Sequence, residues 1–155
     1  MQVKVELNGL QDVLKTLARV KKAASSKILR KAAGAASKIL VKEVKARVPV
    51  DTGLTRKSIG RRVKTYRKSG TVVALVGPRT GFADPNTGHD PVKTAHLAEF
   101  GTEHSAPSPF MRPAADAASG RMVAAVSETI SRELVEAAKR GEVGEGDSDI
   151  VDGGE

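Results

Sequence analysis

The stretches HLAEFGT (residues 96–102) and PFMRPA (residues 109–114) decide the fold of this chain, together with VPVDTGL (residues 48–54) upstream. Each stretch joins a helix-forming run to a bend made of Pro, Gly, Asp or Thr, the residues that fix or release backbone dihedrals. Gly101 is expected to stop a helix over residues 93–100 in a left-handed cap. Pro113 is expected in the first turn of the last helix, where its missing amide costs nothing.

The order of these elements, P-x-D-T-G-x-L followed by E-F-G-T and P-F-x-x-P-A, resembles the tail-component family of tailed double-stranded-DNA bacteriophages. Members of that family are small proteins at the neck or head-tail joint of the virion. The likeness covers residues 48–118, with a looser similarity in the flanking helices. The residues that carry the motifs are Pro49, Asp51, Thr52, Gly53, Leu54, Glu99, Phe100, Gly101, Thr102, Pro109, Phe110 and Pro113.

Glu99 is the motif acid that we expect to be half-buried, because it lies just before Phe100 and the Gly101 cap. A half-buried carboxylate at that position needs a basic or amide partner, and Arg112 is the nearest candidate. The family resemblance implies that the E-F-G-T and P-F-x-x-P-A elements form two halves of one packed corner. We expect this corner to stabilise the fold rather than bind a ligand.

Hydrophobic periodicity indicates an α+β protein. Alternating apolar residues over 3–7 predict a short strand. Apolar residues spaced by three and four from Leu10 to Ile39 predict a long helix that continues to about Arg47 and is ended by Pro49. The alanines around Gly34 indicate a close crossing with another helix.

Two further strands are predicted over residues 59–65 and 71–76, and the second is apolar enough to be a central strand. The irregular stretch over 77–91 has the length of a functional loop, and its Phe82 is a candidate contact with neighbouring proteins. We expect a long N-terminal helix and a C-terminal helix packed on a small, mainly antiparallel sheet. They form a single domain over 1–140, followed by a disordered, Gly-rich acidic segment over 141–155.

Composition limits the core of a chain of 155 residues. Its aromatic residues are Tyr66, Phe82, Phe100 and Phe110, so buried area must come from aliphatic side chains and close helix contacts. Such a thin core favours support from an oligomeric interface. The absence of cysteine excludes disulfides, thiolate metal sites and cysteine nucleophiles.

The net charge of +8 is distributed unevenly. Residues 1–70 hold 19 Lys and Arg against four acids, whereas the acidic segment holds six acids and no base. The long helix therefore presents a basic surface, on which we name Lys27, Lys31, Lys38 and Lys42 as a possible interaction surface. Acidic proteins are favoured over DNA as partners of this surface, and a merely solvated helix face is the alternative. Direct DNA contact is possible but not favoured, because phosphate-binding modules usually add aromatic stacking or a groove-reading element.

Catalytic chemistry finds little support in the sequence. His89, His96 and His104 lie near acids, but no metal-binding spacing occurs, and no nucleophile motif or phosphate-binding loop is present. We therefore predict no catalytic residue, no metal and no cofactor, and a protein that is not an enzyme.

We expect a structural virion protein of a tailed phage or prophage that acts in head-tail joining or tail completion. It would form a homo-oligomeric ring and contact other neck or tail proteins. No apolar stretch of 18 residues and no signal-peptide run is present, so we expect no membrane association, synthesis in the host bacterial cytoplasm, and a place in the neck or tail of the virion. The alternative is a basic DNA-binding protein of phage or host.

Overall fold

The computed structural model describes residues 22–49, 53–66 and 68–141. The predicted strand over 3–7 and the part of the long helix before Lys22 lie outside the described residues. So do the motif residues Asp51 and Thr52, and all of the acidic segment after Gly141.

The described residues confirm the predicted α+β class. They form four helices and two strands: α1 (Lys22–Arg47), α2 (Leu54–Ser58), β1 (Ile59–Tyr66), β2 (Thr71–Pro78), α3 (Pro91–Phe100) and α4 (Met111–Lys139). The long helices α1 and α4 pack on each other, and α1 also packs on the antiparallel pair of β1 and β2. None of the described helices is long and apolar enough to cross a membrane.

The crossing of α1 and α4 is antiparallel, since Lys31 pairs with Glu133 near one end and Glu43 pairs with Arg121 nearer the other. Small side chains allow the two helices to approach, as predicted from the alanine content. The buried residues of this crossing are Ile28, Ala32, Ile130 and Ala137, with Leu29, Val126 and Leu134 packed around them.

Gly34 contributes to the contact between α1 and β1 rather than to the crossing of α1 and α4. Its carbonyl oxygen accepts a hydrogen bond from Arg61 Nη1 at 3.1 Å. A Cβ atom at this position would lie 3.3 Å from the same nitrogen, which is a tight contact. The glycine therefore gives space to an arginine of the sheet.

The sheet is a hairpin in which Ile59 pairs with Pro78 at one end and Tyr66 pairs with Thr71 at the other. β2 reaches Pro78, two residues further than the sequence predicts, because the pairing of Gly60 with Gly77 continues the ladder. In the described residues β1 is the strand that pairs with β2. The prediction that β2 is a central strand stays a prediction, because the expected further strand over 3–7 lies outside the described residues. Among the described residues, the face of the hairpin that carries Leu75 is open, since it lies opposite the face on which Arg61 contacts α1, and Leu75 is 50% exposed there.

The second core cluster is built around Phe110, which is 1% exposed. It joins the C-terminal part of α1 to β1 and to the first turn of α4, through Val44, Val48, Ile59 and Ala114. The structure corrects the predicted corner at Phe100, which is 61% exposed and adds nothing to this core. The α3 side chains that pack against the cluster are those of Ala95 and Ala98.

Replacement of Phe110 by alanine should lower the free energy of unfolding by about 3 to 5 kcal/mol, because it removes a buried ring from the centre of the cluster. Phe100→Ala is the matched control, since it deletes the same ring from an exposed position and should cost far less. Urea unfolding followed by circular dichroism measures both. Equal losses in the two variants would contradict this description of the core.

Candidate functional site

The first part of the candidate site is Glu99, which lies near the C-terminal end of α3. The start of this helix fixes its position. Asp90 is the N-cap, and its Oδ1 accepts the backbone N–H of Val92 at 3.0 Å. Pro91 occupies the first helical position, where no amide donor is needed. These two residues start the helix two positions before the predicted residue 93, and the helix then carries Glu99 to its buried side.

The Glu99 carboxylate binds three consecutive backbone amides at the start of α4. Oε2 accepts the N–H groups of Phe110 and Met111 at 2.8 and 2.9 Å. Oε1 accepts the N–H group of Arg112 at 3.2 Å. The carboxylate therefore caps a helix whose N-cap residue, Phe110, lies eleven residues later in the chain. We call this arrangement the capped corner: Glu99 together with the backbone amides of residues 110–112.

The capped corner satisfies the donors that every helix leaves unpaired in its first turn. Phe110, which occupies the N-cap position, has no side-chain oxygen that could accept them. Pro113 has no N–H group, so it leaves no donor unpaired. Ala114 is the first residue whose amide bonds back within the helix, to the Phe110 carbonyl at 3.3 Å. Negative charge is also favoured at this end of the helix dipole.

The link between the two motif stretches requires a glycine at position 101. Gly101 has φ 78° and ψ 179°, a region of backbone space that is essentially restricted to glycine. A Cβ atom there would approach Pro107 N and Ser105 O to 2.9 Å. The predicted positive φ is therefore correct, but the extended ψ differs from a left-handed cap and directs the chain into a bridge between Thr102 and Ser105.

Burial is the largest influence on the Glu99 pKa and would raise it, since the residue is only 8% exposed. The hydrogen bonds from the amides of Met111, Phe110 and Arg112 act in the opposite direction, with a smaller contribution from the Arg112 charge. Together they lower the pKa below its ordinary value of 4.5. Glu99 is thus a stable anion at neutral pH.

Arg112 is not the side-chain partner that the sequence predicts for Glu99. Its backbone amide reaches the carboxylate, while its guanidinium lies over the Phe100 ring, with Cζ 4.8 Å from the ring centroid. This cation–π contact is worth about 0.5 to 1 kcal/mol at an exposed site. The pair closes the outer side of a groove of about 370 Å³ beside the capped corner, which Val92 and His96 also line.

The upstream motif forms the entry to α2. Gly53 adopts φ 75° at the N-cap, and its carbonyl accepts the Lys57 amide at 3.0 Å. Pro49 is exposed, and Leu54 is half-buried at the first position of the helix.

Phe82 lies half-buried in the loop after β2, beneath the guanidinium of Arg79 at 5.1 Å. The Arg79 Nε donates to the Ser58 carbonyl at 3.2 Å, and a Cβ atom at Gly60 would come within 2.3 Å of that nitrogen. Phe82 therefore supports the end of the hairpin as well as facing solvent.

The histidines do not assemble a metal site in the described residues, where no group of three His, Asp or Glu side chains is arranged to hold an ion. His96 lies exposed on α3, and His89 and His104 lie in the loops on either side of it.

The second part of the candidate site is a basic groove of about 520 Å³ between α1 and α4. It collects three of the four lysines named from the sequence, whereas Lys42 does not line it. Gly34 and Ala35 contribute small residues to its lining, and Thr129 and Glu133 line it from α4. The cations of the basic groove are Lys27, Arg30, Lys31, Lys38, Arg61 and Arg132.

Arg61 and Arg132 belong to this surface although no sequence pattern assigns them to it. They come from β1 and α4, and only the packing of those elements on α1 brings them beside the lysines. Among the described residues, Lys31 is the one groove cation with an acidic partner, Glu133 Oε2 at 2.5 Å.

The fold and the site define an α+β protein that is organised by a carboxylate-capped helix corner and carries a basic groove. Residues 11–101 match the family described as "Bacteriophage HK97-gp10, putative tail-component", and the chain belongs to that family. The match includes Glu99 and Gly101, while the P-F-x-x-P-A element lies beyond it. No curated protein and no solved structure matched the chain significantly.

Glu99→Gln should destabilise the protein at neutral pH by about 2 kcal/mol, because a neutral amide cannot replace the anion at three amides. The folded-state pKa is lowered, so the carboxylate's contribution is complete above the ordinary value of 4.5 and is lost as the pH falls through the folded-state pKa. The two proteins should therefore converge in thermal midpoint towards acidic pH. Glu103→Gln, which removes an exposed acid, is the control, and a gap between wild type and Glu99→Gln that stays constant with pH would refute the prediction.

Proposed function

We propose that this chain is a non-enzymatic assembly protein that completes the tail or joins head and tail, acting in a homo-oligomeric ring. Family membership carries the proposal, since a phage tail component is a structural part of the virion. The partners are other phage neck or tail proteins. Synthesis takes place in the host bacterial cytoplasm, before the protein enters the particle.

The exposed apolar side chains support a role in protein assembly. Exposed hydrophobic residues that form a contiguous patch mark a surface that partners cover. Among the described residues the exposed large hydrophobic residues are Tyr66, Leu75, Val92, Leu97, Phe100 and Val135. They lie on the open face of the hairpin, on α3 and on α4, so more than one side of the protein is available for contacts, as a ring member requires.

The capped corner supports the same proposal in a different way. Glu99 bonds the two motif stretches HLAEFGT and PFMRPA together and Gly101 permits the close approach of Pro107, and neither contact requires catalytic chemistry. The capped corner fixes α3 relative to α4, and such rigidity suits a protein that is packed against others in a particle.

DNA binding by the basic groove is the second candidate function. Its cations could contact phosphates, and the observation in its favour is their clustering on one surface. The four aromatic residues of the chain provide little stacking capacity, and Phe110 is buried. DNA binding of this kind would fall steeply as salt concentration increases.

Removal of this protein from the phage or prophage that encodes it should leave filled heads and tails unjoined in electron micrographs, with a loss of infectious titre. The wild-type chain should restore joining, and so should the double variant His96→Gln, His104→Gln, because no catalytic histidine is required. Leu75→Asp should fail to restore it, since a charge on the open hairpin face would be buried at a contact.

Thr71→Asp is the matched control, because it adds the same charge to an exposed residue of the same strand and the same face. Joined particles of normal titre without the protein would contradict the assembly role. A stoichiometric metal whose removal abolishes joining would contradict the non-enzymatic part of the proposal.

A further inference from the structure

The basic groove has an excess of positive charge that the described residues do not neutralise. Five of its six cations have no acidic partner among the described residues, and Glu133 is already paired with Lys31. Lys27, Lys31 and Lys38 follow one face of α1 over about 16 Å, at 1.5 Å per residue. The groove is therefore suited to an extended anionic chain rather than to a single small anion.

The acidic segment has the complementary charge. It carries six acids and no base: Glu142, Glu145, Asp147, Asp149, Asp152 and Glu155. Opposite charges at this density attract over the Debye length of about 8 Å at physiological salt. The number of its acids equals the number of groove cations.

The antiparallel packing of α1 and α4 directs the C-terminal end of α4 towards the Lys27 end of the groove. Glu133 of α4 lines the groove, and Ala137 packs with Ile28 of α1, next to Lys27. From Glu133 to Gly141 the chain advances about 12 Å if it keeps the helical rise. The residues after Gly141 can extend about 46 Å, which is enough to turn back and run along the groove.

We propose that the acidic segment occupies the basic groove of its own copy, as an internal electrostatic cover. A covalently linked segment has an effective concentration in the millimolar range, so weak individual ion pairs can keep it bound. A groove of about 520 Å³ accommodates the side chains of a peptide segment. The cover would shield the cations from nucleic acid and from other acidic proteins until a stronger partner displaces it. This inference does not depend on the proposed role in head-tail joining.

Paramagnetic broadening in the full-length chain tests the proposal directly. The chain has no cysteine, so Ser148→Cys provides a single position for a nitroxide label within the acidic segment. The amide signals of α1 residues 27–38 should lose intensity, while those of the hairpin tip around Tyr66 should not. The loss should disappear at about 1 M salt, where the Debye length is about 3 Å.

Charge variants test whether the loss of amide signal intensity depends on the basic groove. Arg30→Glu, Lys38→Glu, Arg132→Glu should abolish the broadening, because it reverses three groove cations. Lys57→Glu, Arg62→Glu, Lys64→Glu makes the same charge change on exposed residues outside the groove and should preserve it. Removing three of the six charges of the segment with Asp147→Asn, Asp149→Asn, Asp152→Asn should also weaken it strongly without altering any groove residue.

Several results would overturn the proposal. Broadening that is absent, that is spread evenly over the surface, or that both triple Lys/Arg variants reduce equally would exclude specific docking. Broadening of isotope-labelled unmodified protein by a spin-labelled second copy would show that the segment binds between copies. Duplex DNA binding at physiological salt that removal of the segment's charges leaves unchanged would show that the segment does not cover the groove and would assign the groove to nucleic acid.

Discussion

The capped corner is the interaction on which the rest of the described structure depends. One carboxylate of α3 accepts hydrogen bonds from three backbone amides at the start of α4. Phe110, the N-cap residue of α4, therefore does not need a polar side chain to cap the helix. The same contact sets where Phe110 enters the core, and from that residue the packing continues to β1 and to the end of α1. Loss of the carboxylate would therefore affect packing as well as a helix end.

Sequence patterns predicted the large elements because these follow from repeated local preferences. The helical spacing of apolar residues, the break at Pro49 and the alternation in the hairpin all act within a few residues. The role of Glu99 was half predicted: its position before Gly101 indicated a buried acid in need of a partner. That the partners are backbone amides rather than the Arg112 guanidinium could not be predicted, since every residue has an amide and only tertiary packing selects three of them.

The surfaces were predicted less well for a related reason. The lysines of α1 were visible as a row in the sequence, but the basic groove also needs Arg61 from β1 and Arg132 from α4. Phe100 was expected to be part of the packed corner, yet one residue further along a helix than Glu99 points about 100° away, and the ring lies outside under Arg112. The described structure thus separates residues that hold the fold from residues that are available for partners.

Amide proton NMR of Phe110, Met111 and Arg112 tests the central claim most directly. If the Glu99 carboxylate binds these groups, all three amides should be protected from hydrogen exchange at neutral pH. Their proton shifts should titrate together with one midpoint below 4.5, and Glu99→Gln should remove that shared titration. Three amides that exchange freely, or that titrate with unrelated midpoints unaffected by Glu99→Gln, would contradict the account.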